Sequence, residues 1–523
     1  MLLFRTCRDD EISLLRKIEG LEDAVKALDA VVDGVHSEYF SARAKLCRAT
    51  NARYSVLARL PLEILAMIFD AACAINEPME KYFTRNGGLH PRNPWRDRGA
   101  INLTCFYWRQ VALRTGSLWN NLVIYGRSRD ANGVWGDYNF LGSDEEDEQD
   151  KQFSIVPHPP LIPIILQRAS AVPLNIHISC DFFKGSVIEK YWNMILPHIN
   201  RAADMSRTFE IKLRTVPRRL GIFSEPSPLP KLRYLSLEWG ARRDVNAECI
   251  DLSQAISITS LSITARTSWR GGILRVRLPE VCTLKTLCLK GSFALTDVTS
   301  AVTCCASQLE WLTLDISATP RMVQEAQIPA SLPLSRLHEL RVRGRFSVVL
   351  MRTMNAPRLQ SLTIHSGGVR MDSRAWTRYP HPLSVTQQFP ILVSLHVPSV
   401  PDDILTPYLA AHPSLETVGM VNITLARVLL FPDNSHSRPH ILLNLRSLSM
   451  NCIGWQAEDV AKLRELVTHL RATSSSSAEP KCVLYLQGLP INGEHEFFQL
   501  ARQFKEYIRL HRPNSDETLD SSD

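Results

Sequence analysis

The chain has 523 residues, of which 45% are hydrophobic and 22% are charged, so it is long enough for two or three domains with a sizeable core. No apolar run approaches the ~18 residues that cross a bilayer, and the N-terminus becomes charged at Asp9 and Asp10, unlike a secretory signal. We therefore expect no membrane association and a location in the cytosol or nucleus. The net charge of +7 comes without a dense Lys/Arg tract, so nucleic acid is not an expected partner.

Residues 10–50 are predicted to form a helix on which apolar side chains recur with spacings alternating between four and three. These side chains are Leu14, Ile18, Leu21, Val25, Leu28, Val32, Val35 and Tyr39. Such a narrow stripe is typical of a coiled coil, although Gly20 and Gly34 weaken the helix. Two interpretations stay open: a homodimer formed through residues 14–39, or a helix that packs against its own protein.

Residues 58–122 contain two helical patterns separated by a long polar loop over 76–99. The first pattern begins at Leu60-Pro61-Leu62-Glu63-Ile64-Leu65, because a proline in the first turn of a helix costs no hydrogen bond. The second contains Cys105-Phe106-Tyr107-Trp108-Arg109 and ends at Leu118-Trp119. We expect both tryptophans to lie in the interior of this unit.

These three blocks resemble the F-box family, whose pattern is Leu-Pro-x-Glu-Ile-Leu-x-x-Ile-Phe, then Cys-x-x-Trp-Arg, then Leu-Trp. The blocks occur in the same order here, and the whole plan is similar to the expanded fungal F-box proteins. The resemblance implies that this unit binds the Skp-family adaptor of a cullin ligase core. The adaptor-binding residues that it implies are Leu60, Pro61, Ile64, Leu65 and Ile68.

An acidic block over 141–152 is predicted to be a linker, and after it the sequence becomes repetitive. The pattern Leu-x-x-Leu-x-Leu, with conservative replacements, occurs nine times. The copies are Leu232/Leu235/Leu237, Ile258/Leu261/Ile263, Leu284/Leu287/Leu289, Leu309/Leu312/Leu314, Leu337/Leu340/Val342, Leu359/Leu362/Ile364, Leu392/Leu395/Val397, Leu415/Val418/Met420 and Leu445/Leu448/Met450. Their average spacing is about 27 residues, within the ~20–29 expected of leucine-rich repeats.

Residues 153–511 are therefore predicted to form a leucine-rich-repeat-like solenoid, in which each unit is a short strand plus a helix. Four copies have a proline two residues before the first leucine, namely Pro230, Pro357, Pro390 and Pro413. Proline ends a helix and biases its neighbour to extended structure, so it marks the entry to a strand. The overall prediction is an α/β fold: an N-terminal helix and an all-α F-box, then an inner parallel sheet with outer helices, and a disordered tail over 512–523.

Strand alternation turns the residues between the buried leucines outward, where they can bind a partner. The candidate target-binding residues are Tyr234, Trp311, Arg341, Arg343, His365 and His396. Tryptophan and arginine are frequent binding anchors, and His365 and His396 are expected to be neighbours across the sheet.

No nucleotide-binding loop, zinc-protease motif or nucleophile elbow occurs in the sequence. The 12 cysteines lack Cys-x-x-Cys pairs and are expected to be small buried residues, so neither a metal nor a cofactor is predicted. We expect a protein that is not an enzyme: the substrate receptor of an SCF-type ubiquitin ligase, with an unidentified protein target. The alternative is a ubiquitin-independent scaffold that dimerises through its N-terminal coiled coil.

Overall fold

The computed structural model describes the chain in segments, and it divides into two compact units. The described residues are 2–54, 60–73, 101, 106–128, 153–156, 161–169, 172–181, 185–213, 223, 229–239, 249–265, 274–318, 323, 327–365, 389–397, 402–421, 444–451, 455–473, 482–487 and 494–511. The first unit is Met1–Asn120 with Gln167–Ala171, and the second is Asn121–Leu166 with Val172–Asp523. The predicted loop at 76–99, acidic linker at 141–152 and tail at 512–523 lie outside the described residues.

The first unit begins with one helix, α1 (Leu2–Tyr54), of 53 residues, which at 1.5 Å per residue is about 80 Å long. Every side chain from Arg16 to Thr50 is exposed. The eight residues of the predicted stripe keep between 45% and 66% of their surface accessible. Within the described part of the chain, nothing covers the stripe. The structure therefore does not show the helix packed against its own protein, one of the two interpretations of its sequence.

The rest of the first unit is a cluster of short helices. They are α2 (Leu62–Cys73), α3 (Phe106–Arg114) and a 3₁₀ turn (Gly116–Trp119). Helix α2 contacts both α3 and the 3₁₀ turn. Their shared interior contains Leu65, Phe69, Val111, Leu118 and Trp119, each almost without accessible surface.

The second unit is dominated by one sheet, 15-stranded within the described residues, whose strands lie in chain order apart from β2. Its strands are β1 (Asn121–Ser128), β2 (Phe153–Val156), β3 (Leu174–Asp181), β4 (Ser206–Leu213), β5 (Tyr234–Trp239), β7 (Ser260–Ala265), β9 (Thr286–Gly291), β10 (Trp311–Ile316), β12 (Glu339–Arg343), β14 (Ser361–His365), β15 (Ser394–His396), β16 (Thr417–Val421), β17 (Ser447–Asn451), β18 (Val483–Gln487) and β19 (Ile508–His511). All neighbours pair in parallel except β1 with β2. Two short parallel pairs stand outside this sheet: β6 (Cys249–Asp251) with β8 (Arg275–Arg277), and β11 (Leu332–Pro333) with β13 (Met354–Asn355).

The repeated leucines account for the parallel register of this sheet. The middle residue of each copy faces its counterpart on the next strand, as Leu235 faces Leu261 and Leu312 faces Leu340. Those side chains have at most 1% of their surface accessible. A strand with one buried face is held in register, because a slip of one residue would turn every leucine toward water.

Strand entry at these prolines is a recurring turn stabilised by one backbone hydrogen bond. Leu232 donates its N–H to the carbonyl of Leu229 across Pro230, and Leu415 donates to His412 across Pro413. Proline suits the second position of such a turn because its φ is preset there. The prediction that these prolines precede strands is confirmed.

The connections between strands are less uniform than predicted. Helices occur at α4 (Ile162–Arg168), α5 (Gly185–Ala203), α6 (Leu295–Cys305), α7 (Arg345–Met351), α8 (Asp402–Ala410), α9 (Ala457–Thr473) and α10 (Glu494–Gln503). The described parts of the β5–β7 and β7–β9 connections instead contain β6 and β8. Within the described residues, the expected strand-plus-helix unit is therefore seen in some connections and not in these two, because the leucine pattern specifies only the strands.

One boundary also differs from the prediction. Strand β1 begins at Asn121 and pairs in parallel with β3, so the sheet starts before the acidic linker rather than at 153. At the other end Ile508 begins β19 and pairs with Leu484. None of the helices in the described ranges combines the length and the apolar character that crossing a bilayer demands.

Candidate functional site

The Leu-Pro turn and α2 form the first candidate surface. The carbonyl of Pro61 accepts the N–H of Leu65 at 3.1 Å, which begins the helix one residue before Leu62. The hydroxyl of Tyr107 donates to the carbonyl of Leu60 at 3.3 Å. This bond ties the turn to α3, so the turn is held by the unit that it precedes.

One side of α2 is interior. Leu65 and Phe69 have 0% and 1% of their surface accessible, and the Phe69 ring lies 5.0 Å from the Trp108 ring, centroid to centroid. Leu65 was expected among the adaptor-binding residues, but its side chain is enclosed by the unit itself. Its spacing of four from Phe69 places both on the same helical face, and that face is buried.

Another side of α2 is apolar and open to solvent. Ile64, Met67 and Ile68 keep 43%, 67% and 45% of their surface accessible. Met67 and Ile68 follow Ile64 by three and four residues. Pro61 precedes Ile64 by three and is also exposed, so the four residues share one helical stripe. We call Pro61, Ile64, Met67 and Ile68 the outer α2 face. Leu60 is half-buried beside it.

The side chain of Trp119 lies in the interior of the first unit. Its indole Nε1–H donates to the carbonyl of Ala112 at 2.8 Å. The guanidinium of Arg168 lies 4.5 Å from the indole centroid, a cation–π contact. Burial, together with the positive charge of Arg109, lowers the pKa of Arg168. The expected interior position is confirmed for Trp119, whereas Trp108 is only half-buried.

The second candidate surface is the outward row of side chains on the large sheet. Trp311 and Tyr234 keep 42% and 37% of their surface accessible, although each stands beside a fully buried leucine. They occupy the same register position, because Tyr234 faces Ser260, Ser260 faces Thr286 and Thr286 faces Trp311. Three strand spacings therefore separate the two aromatic rings, about 14 Å at ~4.8 Å per strand.

The structure brings five of the six predicted target-binding residues onto four neighbouring strands. Trp311 is on β10, Arg341 and Arg343 are on β12, His365 is on β14 and His396 is on β15. Arg343 faces His365 directly, and the rings of His365 and His396 lie 6.1 Å apart, centroid to centroid. The expectation that the two histidines are neighbours is confirmed. We call these five residues the aromatic-basic patch; Tyr234 lies outside it.

Acidic neighbours offset part of the positive charge of this patch. Nε of Arg341 lies 2.6 Å from a carboxylate oxygen of Glu339, and Nη1 of Arg343 lies 3.6 Å from one of Asp315. Both pairs are partly exposed, so each contributes at most about 1 kcal/mol.

His396 is the most perturbed group on this surface. Burial, with the positive charges of His365 and Arg341 adding to it, lowers the pKa of His396 to about 4. The residue that it faces on β16 is Gly419, and a Cβ at that position would collide with the imidazole Nδ1. Gly419 thus makes the space that His396 occupies.

Sequence reasoning missed Met67 and Gly419. The i, i+3, i+4 spacing of Ile64, Met67 and Ile68 was available as a signal. The role of Gly419 was not, because it depends on which residue of the next strand lies opposite.

The cysteines are not uniformly buried. Cys180, Cys282, Cys305 and Cys482 are buried, but Cys47 is exposed on α1. Burial raises the pKa of the Cys482 thiol to about 12, so that thiol stays protonated and behaves as an apolar packing group. Among the described residues, no cluster of three His, Cys, Asp or Glu side chains is arranged to hold a metal ion.

Comparison with known proteins leaves the chain without an assigned family. No protein-family model matches the sequence, and no curated protein matches it.

Proposed function

We propose that this chain is the substrate receptor of an SCF-type ubiquitin ligase, with residues 58–122 as its F-box. The observation that carries this proposal is the exposed apolar stripe of the outer α2 face, directly after the Leu-Pro turn. Of this face, Pro61, Ile64 and Ile68 match positions by which F-box proteins, which the sequence resembles, bind a Skp-family adaptor.

The physical argument is that α2 is apolar on two sides and only one of them is covered. Leu65 and Phe69 stabilise the unit, so Ile64, Met67 and Ile68 are not needed for its interior. Helices that present apolar anchors at i, i+3 and i+4 are recognised by apolar grooves in partner proteins. The adaptor would cover this stripe, and the cullin core would be recruited through the adaptor.

The parallel sheet would act as a leucine-rich-repeat-like solenoid that holds a protein target. The aromatic-basic patch supports this part of the proposal, since an accessible tryptophan on a surface that also carries two arginines is a favourable anchor for a protein partner. The chain would perform no chemistry itself and would raise the effective concentration of the target at the ligase.

A binding experiment with the purified adaptor tests the first half of the proposal. The full chain is expected to bind a Skp-family adaptor, and an Ile64→Asp/Ile68→Asp variant is expected to lose binding. The control is Ile256→Asp/Val281→Asp, which adds the same charges at exposed apolar positions of the second unit and is expected to bind normally. Equal binding by all three proteins would exclude the outer α2 face as the interface.

A ubiquitin-independent scaffold is the second candidate, and the exposed apolar stripe of α1 favours it. The two candidates differ in a reconstituted ligase. A substrate receptor supports transfer of ubiquitin to proteins captured by the sheet unit, whereas a scaffold gives no transfer although it forms oligomers.

A further inference from the structure

Helix α1 has a feature that the proposed function does not use: a continuous apolar seam with solvent on every side. The alternating spacing of four and three puts Leu14, Leu21, Leu28 and Val35 at one seam position of a heptad, conventionally d. Ile18, Val25, Val32 and Tyr39 then occupy the other, position a. All eight are exposed, and a helix whose only apolar stripe is a narrow seam requires a partner with a matching seam.

The residue types at the two seam positions are not interchangeable. Three of the four a positions hold a β-branched residue (Ile18, Val25 and Val32), and three of the four d positions hold leucine (Leu14, Leu21 and Leu28); Tyr39 at a and Val35 at d are the exceptions. In parallel coiled coils, β-branched residues at a with leucine at d favour two strands over three or four. If the helices are parallel, this pattern therefore favours a pair of helices, and their direction has to be argued from the charges beside the seam.

The charges beside the seam fit a second copy of the same helix. In a parallel, in-register pair, each g residue lies next to the e residue five positions later on the partner. Two such pairs are oppositely charged, Lys17 with Glu22 and Glu38 with Arg43, and each forms twice by symmetry. The intervening g and e pairs, Ala24 with Asp29 and Val31 with His36, bring no like charges together.

The outward positions of α1 are correspondingly hydrophilic or small. Heptad positions b, c and f hold Arg16, Glu19, Gly20, Asp23, Lys26, Ala27, Ala30, Asp33, Gly34, Ser37, Phe40 and Ser41. Only Phe40 is large and apolar, so the helix presents one seam rather than an apolar surface all round. On that outer side, Nζ of Lys26 lies 3.6 Å from Oδ1 of Asp23.

From these observations we propose that α1 forms a parallel, in-register, two-stranded coiled coil with α1 of a second copy of this chain. The dimer joins two copies of this chain and does not depend on whether the chain binds a ligase adaptor. An antiparallel pair aligned on the same seam fits less well, because it places Glu22 next to Asp29 of the other helix.

The first test is the mass of the full-length protein in solution, measured by light scattering or sedimentation. The wild-type chain is expected at twice its 59.1 kDa mass. A Val25→Glu/Leu28→Glu variant puts charges in the seam and is expected to raise the dimer dissociation constant by roughly 100-fold or more. The matched control, Ala27→Glu/Ala30→Glu, adds the same charges to the same turns on the outer side and is expected to remain dimeric.

A monomeric wild-type chain, a trimer or tetramer, or a seam variant that dimerises as well as its control would each overturn the proposal. Circular dichroism of both variants verifies that α1 is still helical. Retained helix content with loss of the dimer in the seam variant alone supports the seam as the interface.

The second test determines helix direction by charge reversal. In the parallel pair, Lys17→Glu and Glu22→Lys each create like-charge neighbours and weaken the homodimer, while mixing the two variants restores both pairs and favours the heterodimer. In the antiparallel pair, Glu22→Lys would strengthen the homodimer, because its new lysine would lie beside Asp29. A larger fraction of heterodimer than random pairing of the two variants would give supports the parallel arrangement. A Glu22→Lys homodimer more stable than the wild-type dimer refutes it.

Discussion

The separation of α2 into a buried and an exposed side gives a sharp prediction, which compares Ile64→Ala/Ile68→Ala with Leu65→Ala. Burying an aliphatic side chain fully contributes about 1.5–3 kcal/mol, and the two isoleucines each have a little under half of their surface still to lose. Covering them would therefore contribute roughly 1.3–2.7 kcal/mol together. The double variant is expected to raise the dissociation constant for a Skp-family adaptor by about 10- to 100-fold.

Leu65→Ala is expected to act on stability instead. Its side chain is fully buried, and such truncations cost about 2–5 kcal/mol because a cavity remains. Titration calorimetry measures adaptor affinity, and thermal unfolding measures the stability of the first unit. The reasoning is refuted if the double isoleucine variant keeps full affinity, or if it destabilises the unit as much as Leu65→Ala does.

Three further predictions follow from the packing and the charges. Leu340→Ala removes a fully buried side chain from the middle of the large sheet and is expected to lower the free energy of unfolding by about 2–5 kcal/mol, measured in urea. The pKa of His396 is about 4 in the folded chain, below the ordinary ~6.5. Between pH 4 and about pH 6.5 the folded state therefore binds fewer protons than the unfolded state. Stability should therefore fall as pH drops through that window, by up to about 1.4 kcal/mol per pH unit; a His396→Gln variant whose pH profile matched the wild type would contradict this cause. Gly34→Ala on α1, where a Cβ meets open space, is expected to stabilise the helix by about 1 kcal/mol. Circular dichroism should show a higher melting temperature for the helix.

The local periodicities were enough to predict most strands and the long helix. Leu-x-x-Leu-x-Leu located the nine strands of the large sheet between β5 and β17, because two buried positions per strand must recur at a spacing of two; it did not locate β6, β8, β11 and β13. The alternation of four and three on α1 predicted the helix and its seam. Neither pattern needed knowledge of distant contacts, since each reflects residues of one element facing one way.

The sites were predicted less completely than the elements that hold them. The order of the motifs located the helix that carries the expected adaptor-binding residues. It did not show that Leu65 is interior or that Met67, which was not expected in the site, is exposed. Among the expected target-binding residues, alternation identified the outward side chains, but it could not say that Tyr234 lies three strands from Trp311 while His365 adjoins His396. Those relations depend on strand order and register.

The sequence alone therefore determined the repeating strand unit, the heptad seam and the proline turns, because each depends on interactions within a few residues. Only the tertiary structure decided which face of α2 is covered, where β1 and β19 join the sheet, and why Gly419 must lack a Cβ beside His396. Those features depend on which segments of the chain meet, and residues far apart in sequence are brought together only when the sheet assembles and the interior closes.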